Sequence, residues 1–459
     1  MAQKRTKRQE AIRRRNIFLS VCAVAIAVAV AVLAFSISAI LKSINSPDTN
    51  SDINSSINNP TSSNVSSEAK PKEPYIVGSA TVVNTGDILI HSTVLDGAKT
   101  KDGNYDFSSF FKSTKKYFKA ADLSVINLEV TFGGTESGKF SGYPVFNSPD
   151  SLADTIKEAG LNLVLTSNNH SYDTGLFGLK RTAEVLKNKG IAFTGTKQTP
   201  DDPTYLVKNV NGVKLGIVNY TYETACSTAG RKALNGRIMA AEANNLINTF
   251  SYDKIGNFYT EAENVIKAMK NDGADAIVFY MHWGNEYQLS PNTWQKTIAQ
   301  KLCNLGVDVI VGGHPHVLQP MEVIHSEDSE NSTVCIYSTG NAVSNQRQEL
   351  MDSCPSGHTE DGVLFYYTFD KYSDGTTVLS SVDLVPVWVD KYKGGAQYQY
   401  QMYPLENAKD GANKFGLTGA AATKSEKSYN RTKALMEKGL LECQKHLGAE
   451  ERFAVPTKK

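Results

Sequence analysis

The sequence predicts an α/β domain carried behind one transmembrane helix and a disordered linker. Three observations lead there. From residue 75 onward, short β-rich runs alternate with amphipathic helical patterns. Near the N-terminus stands an uncharged run of 25 residues. Between the two lies a Ser/Asn-rich stretch with no apolar periodicity. With 41% hydrophobic and 21% charged residues over 459 positions, the chain has a globular balance, long enough for one large domain with extensions or for two or three domains.

Residues 1–16 hold Lys4, Arg5, Lys7, Arg8, Arg13, Arg14 and Arg15 against Glu10, a local charge of +6. The whole chain carries +1, so the rest is mildly acidic at −5. No basic stripe follows, and no nucleic-acid partner is expected. Residues 17–41 form the uncharged run. At about 1.5 Å per residue it can cross a ~30 Å hydrocarbon core. The basic cluster before it places residues 1–16 in the cytoplasm and everything after Lys42 outside, as in a signal-anchor protein of the cell membrane. A cleaved signal peptide is the competing reading. It is disfavoured because the run exceeds the ~7–15 residue apolar core of a signal, and no clear A-x-A site follows. In residues 42–74 about half the positions are Ser or Asn, too little apolar surface to offset chain entropy, so a flexible tether is expected.

Residues 75–345 read as the main domain. "GSATVVNTGDILIH" is a strand with its exit loop, "FSSFFKSTKKYFKAAD" an amphipathic helix, and "LSVINLEVTF" a strand. "SPDSLADTIKEAG" is a helix capped by Ser148 or Asp150 and stopped by Gly160. Strand "LNLVLTSNN", helix "GLKRTAEVLKNKG" and strand "IAFTGT" follow, then a hairpin turning at Asn211-Gly212. "EAENVIKAMKNDG" and "NTWQKTIAQKLCNLG" are helices, and "ADAIVFYMHWG", "VDVIVGGHPH" and "STVCIYSTGN" are strands. Residues 346–405 are a β-rich extension that completes the domain, with a turn at Asp374-Gly375. Residues 406–459 are a polar tail with a C-terminal helix. Six cysteines show no C-x-x-C spacing, so neither a zinc site nor a disulfide framework is signalled. Cys303 and Cys335 sit in apolar stretches as core residues, and Cys226 and Cys354 could pair in an oxidising exterior.

In alternating α/β chains, ligands bind beyond the carboxyl ends of the strands. Five such ends carry polar groups here: Asp87 and His91, Glu129, Asn169 and His170, His282, and His314 with His316. Five of the eight histidines lie at these ends. Mixed Asp/Glu/Asn/His donors without thiolate suit Mn, Fe, Zn or Mg. Two divalent ions ~3.5–4 Å apart need a shared carboxylate or water, and one acid here could bridge. His314 and His316 are two apart, so a regular strand would send both side chains to one face. The preceding glycines let the backbone approach the site closely. Asp173 and Glu286 are expected behind the ligands, orienting histidines. Tyr337 and Asn341 are expected to close the sheet and its loop.

Over residues 78–344, "GDILIH", "INLEV", "TSNNHSYDTG", "MHWGNEYQLSP", "GGHPHVLQPMEV" and "YSTGNAV" occur in the order and spacing of the CapA family. These are PgsA-like poly-γ-glutamate capsule synthesis proteins, placed in the calcineurin-like metallophosphoesterase superfamily, which the sequence resembles. The resemblance implies a two-sheet sandwich flanked by helices, where the alternation alone gives only α/β. It implies that Asp87 and Glu129 are metal ligands, Glu129 bridging where most of the superfamily uses aspartate. It implies further ligation by Asn169, His282, His314 and His316, with His170 facing the substrate. One departure stands out: the usual first motif is D-x-H, but position 89 is leucine and His91 lies four residues beyond Asp87. A tight site (Glu129, Asn169, His282, His314) beside a weaker one (Asp87, Glu129, His316, with His91 a further candidate) is the expectation.

The function this implies is a metal-dependent hydrolase or transferase on the outer face of the membrane, acting on an anionic polymer or a phosphoester beside membrane synthetase subunits. The alternatives are a non-catalytic polymer-binding accessory protein and a general metal-dependent phosphoesterase or nucleotidase.

Overall fold

The computed structural model describes residues 73–328 and 330–455. The expected cytoplasmic tail, the transmembrane run at 17–41 and the linker up to residue 72 lie outside the described residues. Among those described, no helix is long and apolar enough to cross a membrane.

The chain opens with β1 (Ile76–Ile88), α1 (Ser92–Ala98), α2 (Lys115–Ala120), β2 (Leu123–Leu128), α3 (Ser151–Ala159), β3 (Leu163–Leu165), α4 (Gly175–Asn188) and β4 (Ala192–Thr194). A second run follows: β5 (Leu206–Val210), β6 (Val213–Tyr222), a small hairpin of β7 (Ala233–Leu234) and β8 (Arg237–Ile238), β9 (Thr249–Phe250), α5 (Ile255–Asn271), β10 (Ala276–His282), α6 (Thr293–Asn304), β11 (Val309–Gly313), β12 (Leu318–His325) and β13 (Ser332–Thr339). The chain then returns through β14 (Asn341–Val343), β15 (Asp361–Tyr372), β16 (Thr377–Gly394) and β17 (Gln397–Pro404), and ends in α7 (Asp410–Asn413) and α8 (Gly419–His446).

Two sheets result. One runs β17-β16-β15-β1-β2-β3-β4, with β14 beside the end of β1, and the other runs β12-β13-β11-β10-β6-β5, with β9 on β6. β1 to β4 are parallel, as are β6, β10, β11 and β13. The two-residue period of a strand explains the layers. Val82, Val125, Leu163, Val278 and Val309 pack between the sheets. Their chain neighbours Val83, Ile126 and Val164 face the helices outside the first sheet. Ile277 and Ile310 do the same for the second. Both faces of each parallel region are thus buried, which is why these strands read as continuous apolar runs.

α8 extends this inner core. Its Met436, Leu440 and Cys443 are wholly buried among the inner-face residues. Gly439 lets the helix lie directly on β12, since a Cβ there would come within 2.1 Å of the Met321 carbonyl oxygen.

Several local expectations change. The helix expected from Phe107 is confined to Lys115–Ala120, because the Phe110 carbonyl accepts the Met402 N–H of β17 at 2.9 Å instead of a helical N–H. β12 was not legible as a strand because of Pro320, which is tolerated because β12 is an edge strand. Asp150 sits at the start of α3 without capping it; its carboxylate is taken by Arg181 at 2.7 and 2.9 Å. The five described cysteines are free thiols, so the Cys226–Cys354 pairing is not formed. The turn at Asn211-Gly212 has φ of 48° and 89°, the left-handed pair a two-residue hairpin requires.

Leu440→Ala removes a side chain with no exposed surface from the inner core. It should cost about 2–5 kcal/mol of stability, read as a lowered urea midpoint by tryptophan fluorescence. An unchanged midpoint would mean that α8 is not part of the domain's cooperative core.

Candidate metal centre

Strand register brings the polar ends together. Asp87 pairs across the ladder with Asn127 of β2, and Asn127 with Leu165 of β3. In the second sheet His282 pairs with Gly313 and with Thr221. Groups far apart in the chain therefore finish level with one another, at the carboxyl ends of parallel strands from both sheets. Asp87, Glu129, Asn169, His170, His282, His314 and His316 are all at most 3% exposed.

The donor atoms converge. His282 Nε2 lies 3.5 Å from Glu129 Oε1, His316 Nε2 lies 3.8 Å from that same oxygen, and His316 Nδ1 lies 3.4 Å from Asp87 Oδ2. The Asn169 side-chain oxygen is 2.8 Å from His282 Nε2. The His282 and His314 ring centroids are 4.9 Å apart, and those of His314 and His316 5.9 Å. Three groups of donors could each hold a cation: Glu129, His282 and His314; Asp87, Glu129 and His316; and Glu286, His314 and His316.

The last two histidines do not converge in the way the strand argument expects. β11 ends at Gly313, and His314 and His316 take φ of 94° and 55°. Left-handed backbone, not strand alternation, turns both rings inward. Such conformations are costly for non-glycine residues and persist only where the surroundings fix them. Here the His314 N–H donates to Asp87 Oδ2 (3.1 Å), the Pro315 carbonyl accepts from the Tyr287 N–H (2.8 Å), and the His316 carbonyl accepts from Asn341 Nδ2 (3.1 Å). Gly313 is needed for closeness: a Cβ there would stand 2.9 Å from Asp87 Oδ1.

The charges are arranged to suit a cation. Burial works against ionisation of Asp87, but His316, His282 and Asn127 outweigh it and hold the carboxyl below its usual range. Burial works against protonation of His316, but Glu129 and Asp87 raise it to about 9. Burial, with His282, His316 and His170 close by, keeps His314 well below the ordinary imidazole range, hence neutral and able to ligate. Glu129 Oε1 and both His314 Nδ1 and His316 Nδ1 are buried without a hydrogen-bond partner among the described residues. Buried polar atoms left without a partner are costly, and a set of oxygen and nitrogen ligand atoms aimed at one space fits a divalent metal ion.

Around these groups, His170 Nδ1 bonds Asp173 Oδ2 at 2.8 Å, and that oxygen also accepts the Phe146 N–H at 2.7 Å. The Phe146 ring stands edge-on to His170 at 4.7 Å. Glu286 is exposed at the mouth; one of its oxygens belongs to a donor group rather than standing behind it. His91 belongs to none of the three groups. It packs against Phe146 at 5.3 Å and accepts the Asn345 N–H at 3.3 Å, and burial with His316 nearby lowers it to about 4. Two contributors were missed in the sequence. Asn127 Nδ2 donates to Asp87 Oδ1 (2.8 Å) and Glu129 Oε2 (3.3 Å), joining the two acids. Its place two residues before Glu129, on the same face of "INLEV", was the available signal. The Tyr222 hydroxyl lies 3.2 Å from His314 Nε2, and nothing in its apolar strand marks it.

Comparisons with known proteins place the chain in a family. The family model described as "Bacterial capsule synthesis protein PGA_cap" matches residues 81–346. The chain is 26% identical over 303 residues to "PGA biosynthesis protein CapA" of Bacillus subtilis (strain 168), covering 65% of this chain and 70% of that protein. It is also 26% identical over 311 residues to "Capsule biosynthesis protein CapA" of Bacillus anthracis, covering 67% of each. A shorter match, 25% over 130 residues, covers 27% of this chain and 26% of "Uncharacterized protein y4sH" of Sinorhizobium fredii (strain NBRC 101917 / NGR234). With more than half of its length matched by one family model, and every strand end that carries a donor inside that match, the chain belongs to the PGA_cap family of bacterial capsule synthesis proteins.

Proposed function

We propose that the chain is a membrane-anchored, extracytoplasmic protein of poly-γ-glutamate capsule synthesis or export, and that its pocket is a hydrolase-like centre for two divalent cations. One observation carries the catalytic part. Glu129 is wholly buried, its Oε1 has no hydrogen-bond partner among the described residues, and it belongs to two separate donor groups. A carboxylate shared between two groups is what a two-metal site requires. Glu129, His282 and His314, with Asn169, would hold one cation, and Asp87, Glu129 and His316 the other. The names of the two Bacillus relatives support the capsule pathway. The basic residues ahead of the 17–41 run support the anchor, which would set the domain beside membrane synthetase subunits.

Bound there, divalent cations supply hydroxide near neutral pH and a positive field for the oxygen under attack. The rest of the chemistry belongs to the chain. Asp173 fixes His170 through Nδ1, which leaves Nε2 free to give a proton to a leaving group or take one from it. Phosphoester and amide cleavage both develop charge on oxygen, so phosphoesters and γ-linked polyglutamate are both admissible substrates. A second reading, a polymer-binding accessory protein without turnover, is favoured by Leu89. It stands where the superfamily has a metal-binding histidine and is buried in the outer core, so the Asp87 group has one donor fewer.

His170→Ala should lower kcat by ~10²–10⁴ with bound metal unchanged, measured by elemental analysis alongside turnover of phosphoesters and poly-γ-glutamate with and without Mn²⁺. Retained turnover in that variant would show that His170 is not the proton donor, absence of turnover in the metal-loaded parent would favour the accessory reading, and turnover of phosphoesters alone would point to a general phosphoesterase. Metal binding should also release protons. His316 is protonated at pH 7.5, below its value of about 9, and must be neutral to ligate. About one proton per chain should appear in calorimetry as a dependence on buffer ionisation heat, fading as pH rises through about 9 and lost in His316→Gln. A buffer-independent heat would show that His316 takes no part.

A further inference from the structure

Beyond β14 the chain runs along the rim of the metal pocket. The Asn345 N–H donates to His91, and Gln346 Nε2 donates to the Tyr287 hydroxyl at 3.2 Å, whose ring centroid is 6.3 Å from that of His316. Residues 345 and 346 are therefore pinned to side chains that flank the donors from two sides. The Asn345 side-chain oxygen accepts two further bonds, from the Tyr400 hydroxyl at 2.6 Å and from Lys391 Nζ at 2.9 Å.

Lys391 is the unusual member. It lies on β16 opposite Tyr400, half-buried, with its ammonium 4.6 Å from the Tyr398 ring centroid and 5.9 Å from that of Tyr400. Among the described residues no carboxylate comes within ion-pair distance of it. Glu349 acts on it from farther off but is engaged by Lys424 at 3.4 Å, and nearby Arg347 is paired with Glu360 at 2.7 Å and adds like charge. Asn345 takes one of the three ammonium protons, leaving two donors without an acceptor among the described residues. Partial desolvation of a cation without a counter-ion costs folding free energy, which the two aromatic faces offset only in part, and an arriving anion recovers the remainder.

We infer that Lys391 and Asn345 form an anion-recognition subsite on the rim of the metal pocket, which takes a carboxylate of an anionic polymer at a residue neighbouring the reacting bond. The reaction at the neighbouring bond rests on the metal-centre reading above; the recognition itself does not. Lysine suits the task, since a compact ammonium accepts carboxylates in many orientations along a flexible chain, whereas arginine's fork demands one.

The test uses the full-length chain loaded with Mn²⁺ and a fluorescein-labelled oligo-γ-glutamate, followed by anisotropy. Lys391→Met keeps an apolar side chain of similar length and removes the ammonium, with its contact to Tyr398 and its bond to Asn345. It should weaken binding by about tenfold or more and flatten the salt dependence. Metal content and p-nitrophenyl phosphate turnover should stay within about twofold, because that small ester has no second anion to place. Lys391→Arg should keep most of the affinity. Binding unchanged in Lys391→Met overturns the subsite, as does a parent chain that does not bind the oligomer. Loss of phosphoester turnover alone, with oligomer binding intact, overturns the carboxylate assignment. Weakened binding by Lys391→Met in a chain that turns nothing over upholds the subsite and sinks the hydrolase reading instead.

Discussion

Everything in the pocket answers to two buried carboxylates. Asp87 and Glu129 stand at the ends of adjacent parallel strands, at most 1% exposed, and share one amide donor from Asn127. One oxygen of each lies within 4.8 Å of the other, and two like charges at about that separation repel by ~3–4 kcal/mol even at an effective dielectric of 20. Desolvation adds to that cost. Such an arrangement persists only with positive charge beside it. The proton on His316, raised to about 9 by the two acids, supplies such a charge. The neutral His314 and the unsatisfied Glu129 oxygen show that a proton alone leaves donors unused. A divalent cation would use them.

The sandwich makes this arrangement possible. A single sheet would bring acids from neighbouring strands together but offer no facing wall. The second sheet supplies that wall, with His282 level with Gly313 and the left-handed loop beyond it folding two more rings inward. Holding those backbone angles requires bonds from both sheets: Asp87 from the first grips the His314 N–H, and Asn341, where the chain crosses back beside β1, grips the His316 carbonyl. Asn341 Nδ2 also reaches the Thr359 carbonyl (3.0 Å) and Gln346 Oε1 (3.0 Å), so the loop, the crossover and the extension are tied at one amide. The expectation that Asn341 closes the loop therefore has a physical content: it fixes a conformation histidine would not adopt unaided.

The alternation of strands and helices, and the polar residues at strand ends, were legible because parallel strands buried on both faces must be apolar until they reach the site. That rule exposed Asp87, Glu129, His282 and His314 by contrast alone. It fails where a contributor is itself compatible with a buried strand. Tyr222 passes for a core aromatic, and Asn127 looks like a stray polar residue until Asp87 is placed beside it. The conformation of His314 and His316 was not legible either, since two positive φ values at non-glycine residues are decided by tertiary bonds and not by local preference. The helix that stops short of Phe111 fails for the same reason: β17, some 290 residues later, claims the Phe110 carbonyl. Glu286 is expected behind the ligands, orienting histidines, whereas its carboxylate is exposed and belongs to a donor group with His314 and His316.

The strands after residue 346 have two uses, and the second follows from the first. β15 must pair with the amino-terminal part of β1 to cover its edge, but β14 takes over that edge from Asp87 onward. The change of partner leaves the segment between β14 and β15 free to leave the sheet. It leaves at the level of the donors, where Asn345 and Gln346 meet His91 and Tyr287. β16 and β17 then extend the same sheet outward and carry Lys391, Tyr398 and Tyr400 to that rim. Donors for a cation come from the segment matched by the family model, whereas the cationic rim comes from β16, beyond its end at residue 346. The two sets of groups are therefore carried by separate stretches of chain that meet at Asn345 and Gln346.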